Sequence, residues 1–312
     1  MNSLKKQRGA AIIVALFVVA LVAAAAIAMI ERLRTDIRRT ELILNATTAD
    51  FYAQGSVIWA IDQLNRDWDN AKNNAVIDFA PIKSPLDHQN GATIFSVIYD
   101  AQGFFNLNNL ANSQYQGNFV RLMRTIAPEI NEGDANTITQ SVMDWVSPNV
   151  KNPALDEYYR KLSPPYRSPH RPMGSISELR LVKGMTPQLF SKLMPYITVL
   201  PGNTTINVNS ASAPILMSLS VTLTADAAKT LEATCKRAPF PTMEAFQAFD
   251  IVKNNPFETN KITIVSAYFL VKTIVTLGHE HIVLYTMLQR SLDSTKGGKS
   301  KTIILWQSKG TL

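Results

Sequence analysis

From Ala10 to Ile30 the chain carries no charged or strongly polar residue, and a run of that kind admits few folds. About 21 residues at about 1.5 Å per helical residue give about 31 Å of helix, which matches the hydrocarbon core of a bilayer. A secretory signal has an apolar core of only about 7 to 15 residues before a small-residue cut site, so ordinary signal cleavage is the weaker reading. Lys5, Lys6 and Arg8 precede the run with no acid among them, which places Met1 on the cytoplasmic side. Arg32, Arg34, Arg38 and Arg39 follow it, interleaved with Glu31, Asp36 and Glu41, so the positive-inside bias is moderate.

Gly9 stands between the basic residues and the apolar run, where a plain anchor has no use for a glycine. A short basic leader ending in Gly, followed by about twenty apolar residues that continue into a charged helix, resembles the signal of type IV prepilins and pseudopilins. The resemblance implies that a membrane-embedded prepilin peptidase cuts between Gly9 and Ala10 and methylates the new amino terminus at Ala10. An uncut single-span anchor is the alternative. Fibre subunits of that class carry a Glu at the fifth mature residue, thought to neutralise a neighbour's amino terminus, and here that position is Val14. A buried amine without its carboxylate is costly, so the departure argues against a major fibre subunit and suits one at a fibre end.

Beyond Ile30, the apolar residues Leu33, Ile37, Leu44, Phe51, Tyr52, Ile58, Trp59, Ile61 and Leu64 follow helical spacing without a proline. One helix from Ala10 to about Asn65 is predicted, and its apolar stripe needs a partner, which a packed sheet supplies. Strands are predicted at Val76 to Phe79 and Ala92 to Tyr99, joined by a loop with Pro81, Pro85 and Asn90-Gly91. Residues 100–258 read as a helical, proline-punctuated insertion. From Ile262 the segments ITIVSAYFLVKTIVTLG, HEHIVLYTMLQRS and SKTIILWQSKG read as an antiparallel meander. The fold class is α+β, with a long N-terminal helix packed on one antiparallel sheet and a large inserted α-helical domain.

Chemistry is sparse. The formal charge of +7 falls to +4 without Met1 to Gly9, so net charge does not demand a polyanion partner. Cys235 is the only cysteine, which excludes an internal disulfide and a zinc site with two cysteine ligands. Residues 177–202 and 206–246 resemble helix-hairpin-helix units. A nucleic-acid-binding hairpin exposes backbone amides through a Gly-hydrophobic-Gly turn. The first unit has only Gly184, and the second has Ser220, Val221 and Thr222 where glycines belong, so a structural role is expected over DNA binding. Asp144, Asp156 and Glu157 gather near a proline-rich loop as candidate calcium ligands, although calcium wants about six to eight oxygens. Solvated acids or partners for Arg160 and Arg167 are the alternative. GGKSK at 297–301 lacks the first glycine of a phosphate loop, since position 293 is Asp293, and reads as a hairpin turn. His279 and His281 lack a third ligand, and no catalytic motif is present, so no enzyme is expected.

The whole chain resembles the general secretion pathway protein K (GspK) family, the large minor pseudopilins of bacterial type II secretion systems. The carriers are RGAAIIVALFVVALV, DAQGFFNLNNL, MDW, DEYY with PPYRSPHRPM, SISELRLVKGM, INVNSASAPIL, and YFLVKTIV with LYTMLQR. The resemblance implies a leader at 1–9, a transmembrane and fibre-core segment at 10–30, and a type IV pilin-like helix with first strands at 31–99. The inserted α-domain would occupy 100–258 and the C-terminal strands 259–312. It also implies a single-pass protein of the inner membrane with its C-terminal domain in the periplasm, at the tip of the pseudopilus. Two smaller minor pseudopilins, of the I and J types, would be its partners there. Family members follow the Asp-Trp pair with further Asp residues that help bind calcium. This chain has Val146, Ser147, Pro148, Asn149 and Val150 instead, which puts at least one metal site in doubt. A membrane-anchored DNA-uptake protein using the hairpins is the competing expectation.

Overall fold

The structure, a computed structural model, describes residues 4–71, 82–83, 87–89, 91–149, 152–293 and 299–310. Its first element, α1 (Leu4–Ala71), is one unbroken helix of 68 residues, about 100 Å long. Alanine-rich apolar sequence favours it, and no proline interrupts it.

A six-stranded antiparallel sheet packs on the distal half of α1. Its strands are β1 (Ile82–Lys83), β2 (Asp87–Gln89), β3 (Ala92–Asp100), β8 (Tyr268–Leu277), β9 (Glu280–Asp293) and β10 (Lys299–Lys309). The order is β1-β3-β8-β9-β10, with β2 also on the outer edge of β3. Strand β8 alternates: Phe269, Val271, Thr273 and Val275 are buried, while their neighbours are half-exposed, because successive side chains point to opposite faces. That buried face meets Ala49, Ala53, Val57, Ala60 and Leu64 of α1, together with Ile98, Leu284 and Leu288. Small alanines let the helix axis lie close to the sheet. The strand predicted at Val76 to Phe79 and the turn at Gly297-Gly298 lie outside the described residues.

Between β3 and β8 the described residues form eight short α-helices, several 3-10 turns and four two-residue strands. The helices are α2 (Gln116–Ile126), α3 (Glu132–Val146), α4 (Pro153–Arg160), α5 (Pro187–Leu193), α6 (Ala213–Leu219), α7 (Ala225–Arg237), α8 (Met243–Ala248) and α9 (Asp250–Asn254). The strands pair in parallel, β4 (Phe105–Asn106) with β5 (Ile197–Thr198) and β6 (Ile206–Asn207) with β7 (Ile262–Thr263). The pairing of β7 corrects the sequence reading. Ile262 and Thr263 belong to this helical unit, not to the terminal meander, because Ile262 is buried in the unit's own core. That core, which includes Phe105, Phe119, Trp145, Tyr159, Phe190 and Leu216, is separate from the one under α1.

Buried amides fasten the loops. Asn106 accepts from Leu200 N at 3.0 Å and donates to Gly202 O at 3.0 Å. Asn108 accepts from Met173 N at 2.8 Å and donates to Leu200 O at 3.0 Å, and Asn109 accepts from Thr204 N at 2.9 Å. The polar run NLNN is thus an internal clamp in which each buried amide has its partners, as burial requires. At the junction of the two units, Asp100 Oδ2 accepts from Asn207 Nδ2 at 2.8 Å, Ser210 Oγ at 2.6 Å and Ser266 Oγ at 2.7 Å. Burial pushes the Asp100 carboxyl above its ordinary value, and these hydrogen bonds oppose the shift.

Candidate assembly face

The apolar run of α1 has no cover. The most apolar stretch within Ala10–Asp67 is wholly unburied, and this is the one helix among the described residues long and apolar enough to cross a membrane. Gly9 and Ala10 lie within α1, and Val14 is exposed among other apolar side chains.

Past the run, α1 carries two apolar faces where the sequence suggested one stripe. The sheet takes Ala49, Ala53, Val57, Ala60 and Leu64, with Tyr52, Trp59 and Ile61 packed beside them. A second row, Ile30, Ile37, Leu44, Phe51 and Ile58, recurs every seventh residue and stays in solvent. Phe51 is 73% and Ile58 69% exposed. On a straight helix a seven-residue row drifts by about 20° per repeat, and a second helix winding along it follows that drift. Between Phe51 and Ile58 on that face sits Gly55, where an added Cβ would meet nothing within 4 Å, leaving a notch in the ridge. The sheet therefore does not satisfy the whole stripe. The spacing of 37, 44, 51 and 58 was visible in the sequence, and its separation from the alanine face was the part missed.

The acids expected to bind calcium separate. Asp144, on α3, is 1% exposed. Its Oδ1 accepts from Asn152 N at 2.7 Å, and its Oδ2 has no partner. Asp156, on α4, has a buried Oδ1 without a hydrogen-bond partner. Between them lies His170, with Nδ1 3.0 Å from the Asp144 carbonyl oxygen and Nε2 3.5 Å from Asp156 Oδ1. Glu157 follows Asp156 on the helix, so it points about 100° away, and it pairs with Lys161 at 2.6 Å. Among the described residues no three His, Cys, Asp or Glu side chains converge as metal ligands. Two carboxylates facing an imidazole are too few oxygens for a calcium shell. As placed, the trio Asp144, Asp156 and Glu157 does not fit that ion. His170, which the sequence reading did not single out, is the group that stands between the buried Asp144 and the half-buried Asp156.

The hairpin-like units are used for packing. Gly184 has φ +88°, and a Cβ there would lie 2.8 Å from Ile138 Cγ1 of α3, so this glycine serves close approach between elements. At the second unit Ser220 is buried and Val221 is 79% exposed, so a side chain occupies the tip where a phosphate would approach the backbone. His279 and His281 are exposed at the β8–β9 turn, with His281 Nδ1 3.2 Å from Thr276 Oγ1.

Comparison with known proteins agrees with this architecture. Residues 103–202 match the family described as "Type II secretion system (T2SS), protein K". The chain is 30% identical to the type II secretion system protein K of Pectobacterium carotovorum subsp. carotovorum, across 96% of this chain and 95% of that one. It is 27% identical to the protein of that name from Pseudomonas aeruginosa, across 92% and 90%. Among solved structures, a chain of the GspK-GspI-GspJ complex from enterotoxigenic Escherichia coli superposes with a TM-score of 0.69 at 20% identity, covering 88% of this chain and all of that one. The apolar N-terminal helix, the pilin-like sheet packed on it and the large helical insertion are thus those of the family to which this chain belongs, the type II secretion system protein K, or GspK, family of minor pseudopilins.

Proposed function

We propose that this chain caps the periplasmic end of a type II secretion pseudopilus and starts its assembly, held in the inner membrane by Ala10–Ile30 until the fibre lifts it out. The observation that carries the reading is the exposed heptad row Ile37, Leu44, Phe51 and Ile58, a ready seam for the long helices of neighbouring pseudopilins. The similar solved chain is assembled with GspI and GspJ, which supports two smaller pseudopilins of those types as the neighbours. Capping follows from shape. The helical insertion adds a second core beyond the sheet, and a subunit of that bulk obstructs addition above it. Val14, where fibre subunits carry a Glu, removes the carboxylate that would receive the amino terminus of a subunit stacked on it.

Processing belongs to the same reading: the prepilin peptidase cuts after Gly9 and methylates Ala10. Two measurements test the proposal together. The intact mass of the amino-terminal peptide, with and without the peptidase, is expected to show methylated Ala10 only with the enzyme. Full-length protein is expected to co-purify with the I- and J-type pseudopilins and to form no fibres alone. An uncut terminus in both samples would make the chain a permanent anchor, and filaments of this chain alone would remove the cap.

A further inference from the structure

On the face of the sheet away from α1 there is a cavity of about 550 Å³ between the strands and the helical insertion. Its floor is a row across three strands, Leu270 on β8, Met287 on β9 and Trp306 on β10, which are direct neighbours in register. Phe104, Phe190 and Met194 stand on the opposite wall. Thioether and aromatic side chains together make a soft apolar lining that adapts to varied shapes, and the volume suits a few large side chains. No Asp or Glu is among its lining residues.

One charged group serves the cavity. The Arg180 guanidinium lies 4.4 Å above the Phe190 ring, which holds its plane in place. Among the described residues it has no ion pair. The acid two residues before it is already engaged: Glu178 Oε1 accepts from Gly174 N at 2.7 Å, and Oε2 accepts from Trp145 Nε1 at 3.2 Å. An anchored, uncompensated guanidinium beside an apolar space favours a ligand with one carboxylate and an apolar body. A single cation is too few for a polyphosphate.

The row Leu270, Met287, Trp306 ends at the outer edge of β10, which is hydrogen-bonded to β9 alone among the described strands. A register shift between Ile304 and Trp306 bulges the edge there, and beyond it the main-chain groups of Gln307 and Lys309 point away from β9. Gln307 turns toward Gln54 of α1, while Trp306 and Ser308, two apart, line the cavity. A strand laid along this edge would send alternate side chains into the cavity and continue the row by one place.

We propose that the cavity and the adjoining edge of β10 form a docking site for an extended segment of a partner protein, one that carries a large apolar side chain two residues from an Asp or Glu, so that both face the cavity. Main-chain pairing with Gln307 and Lys309 supplies the register, the apolar side chain fills the space over Met287, and the carboxylate meets Arg180. The site lies on the opposite face of the sheet from the heptad row, so its failure leaves the helix-packing reading untouched.

The test uses the full chain in nanodiscs of phosphatidylethanolamine and phosphatidylglycerol, which keeps detergent out of the cavity. The probe is a fluorescein-labelled, C-terminally amidated peptide, Thr-Phe-Val-Asp-Val-Thr, in which Phe and Asp share one face of a strand, read by anisotropy beside its Asp-to-Asn version. Saturable binding is expected, about tenfold weaker for the Asn peptide, with that preference reduced to under about twofold in Arg180→Gln. Met194→Trp, which narrows the mouth at a half-exposed position, is expected to weaken both peptides. Arg180 is exposed, so its variant folds and decides the matter if Met194→Trp does not. Equal affinity for the two peptides, or no effect of Arg180→Gln, overturns the proposal. Tight binding of dodecanoate with none of the peptide also overturns it, in favour of a small amphiphile.

Discussion

Replacing Phe51 and Ile58 together by Ala separates the two faces of α1. In the isolated chain these side chains are 73% and 69% exposed, so their removal changes folding stability by no more than about 0.5 kcal/mol each. Against a neighbouring helix the outcome differs. Burying a large apolar side chain stabilises by about 1.5–3 kcal/mol, and at roughly seven-tenths of that the pair contributes about 2–4 kcal/mol to the contact. The double variant is therefore expected to bind the smaller pseudopilins about thirtyfold to several hundredfold more weakly, while its Tm stays within a few degrees of the parent's. Leu64→Ala is the matched control. Leu64 is 1% exposed under the sheet, and its loss costs about 2–5 kcal/mol of folding stability through the cavity it leaves. The assay is a titration of purified I- and J-type pseudopilins against each variant, beside a thermal melt. Unchanged affinity in the double variant, or a drop in Tm matching that of Leu64→Ala, would refute the assignment of this row to assembly.

Gly184→Ala combines a positive φ with a 2.8 Å approach to Ile138, so a loss of about 2–4 kcal/mol is expected by chemical denaturation; a neutral variant would show that the loop relaxes freely. Asp100→Ala strands the buried donors of Asn207 and Ser266 and the half-buried one of Ser210, at a cost of about 2–4 kcal/mol, and native-state hydrogen exchange should show faster opening at the ends of β3 and β8. Burial pushes the Cys235 thiol up to about 12, so it should resist alkylation at pH 8 until the chain is unfolded. With the folded value raised, the unfolded chain releases this proton first. Stability therefore falls as pH rises from about 9 toward about 12, and the fall should be smaller in Cys235→Ala. Millimolar calcium should leave the Tm unchanged, since His170 stands between Asp144 and Asp156; a rise of several degrees that Asp144→Asn abolishes would show that the loop rearranges to hold the ion.

Long periodic elements were legible in the sequence because their signal is local. The helix from Ala10 to Asn65, the strand from Ala92 and the final hairpins each carry a pattern longer than one turn or several alternations. What the sequence hid was chosen by distant residues. Ile262 and Thr263 look like any strand start, and only Ile206, more than fifty residues earlier, makes them part of the helical unit. The sheet-facing side of α1 is mostly alanine, whose small apolar surface gives a weak periodic signal beside Phe51 and Ile58. Asn106, Asn108 and Asn109 read as a polar loop, yet they are buried because backbone groups 65 to 96 residues away in sequence satisfy them. Glu157 was grouped with Asp156 by adjacency, and one step along a helix was enough to part them.

The insertion leaves the sheet at Asp100 and returns at Ser266, and the two ends are tied by a 2.7 Å hydrogen bond. Arg290 of β9 reinforces the return, donating to Ser266 O at 2.8 Å and to Leu64 O of α1 at 3.2 Å. Chain that exits and re-enters at one point is out of the line of load. Tension applied along α1 passes through its contacts with β3, β8, β9 and β10 and bypasses the helical unit. Its helices and loops can therefore change length and surface without weakening the contact between α1 and the sheet.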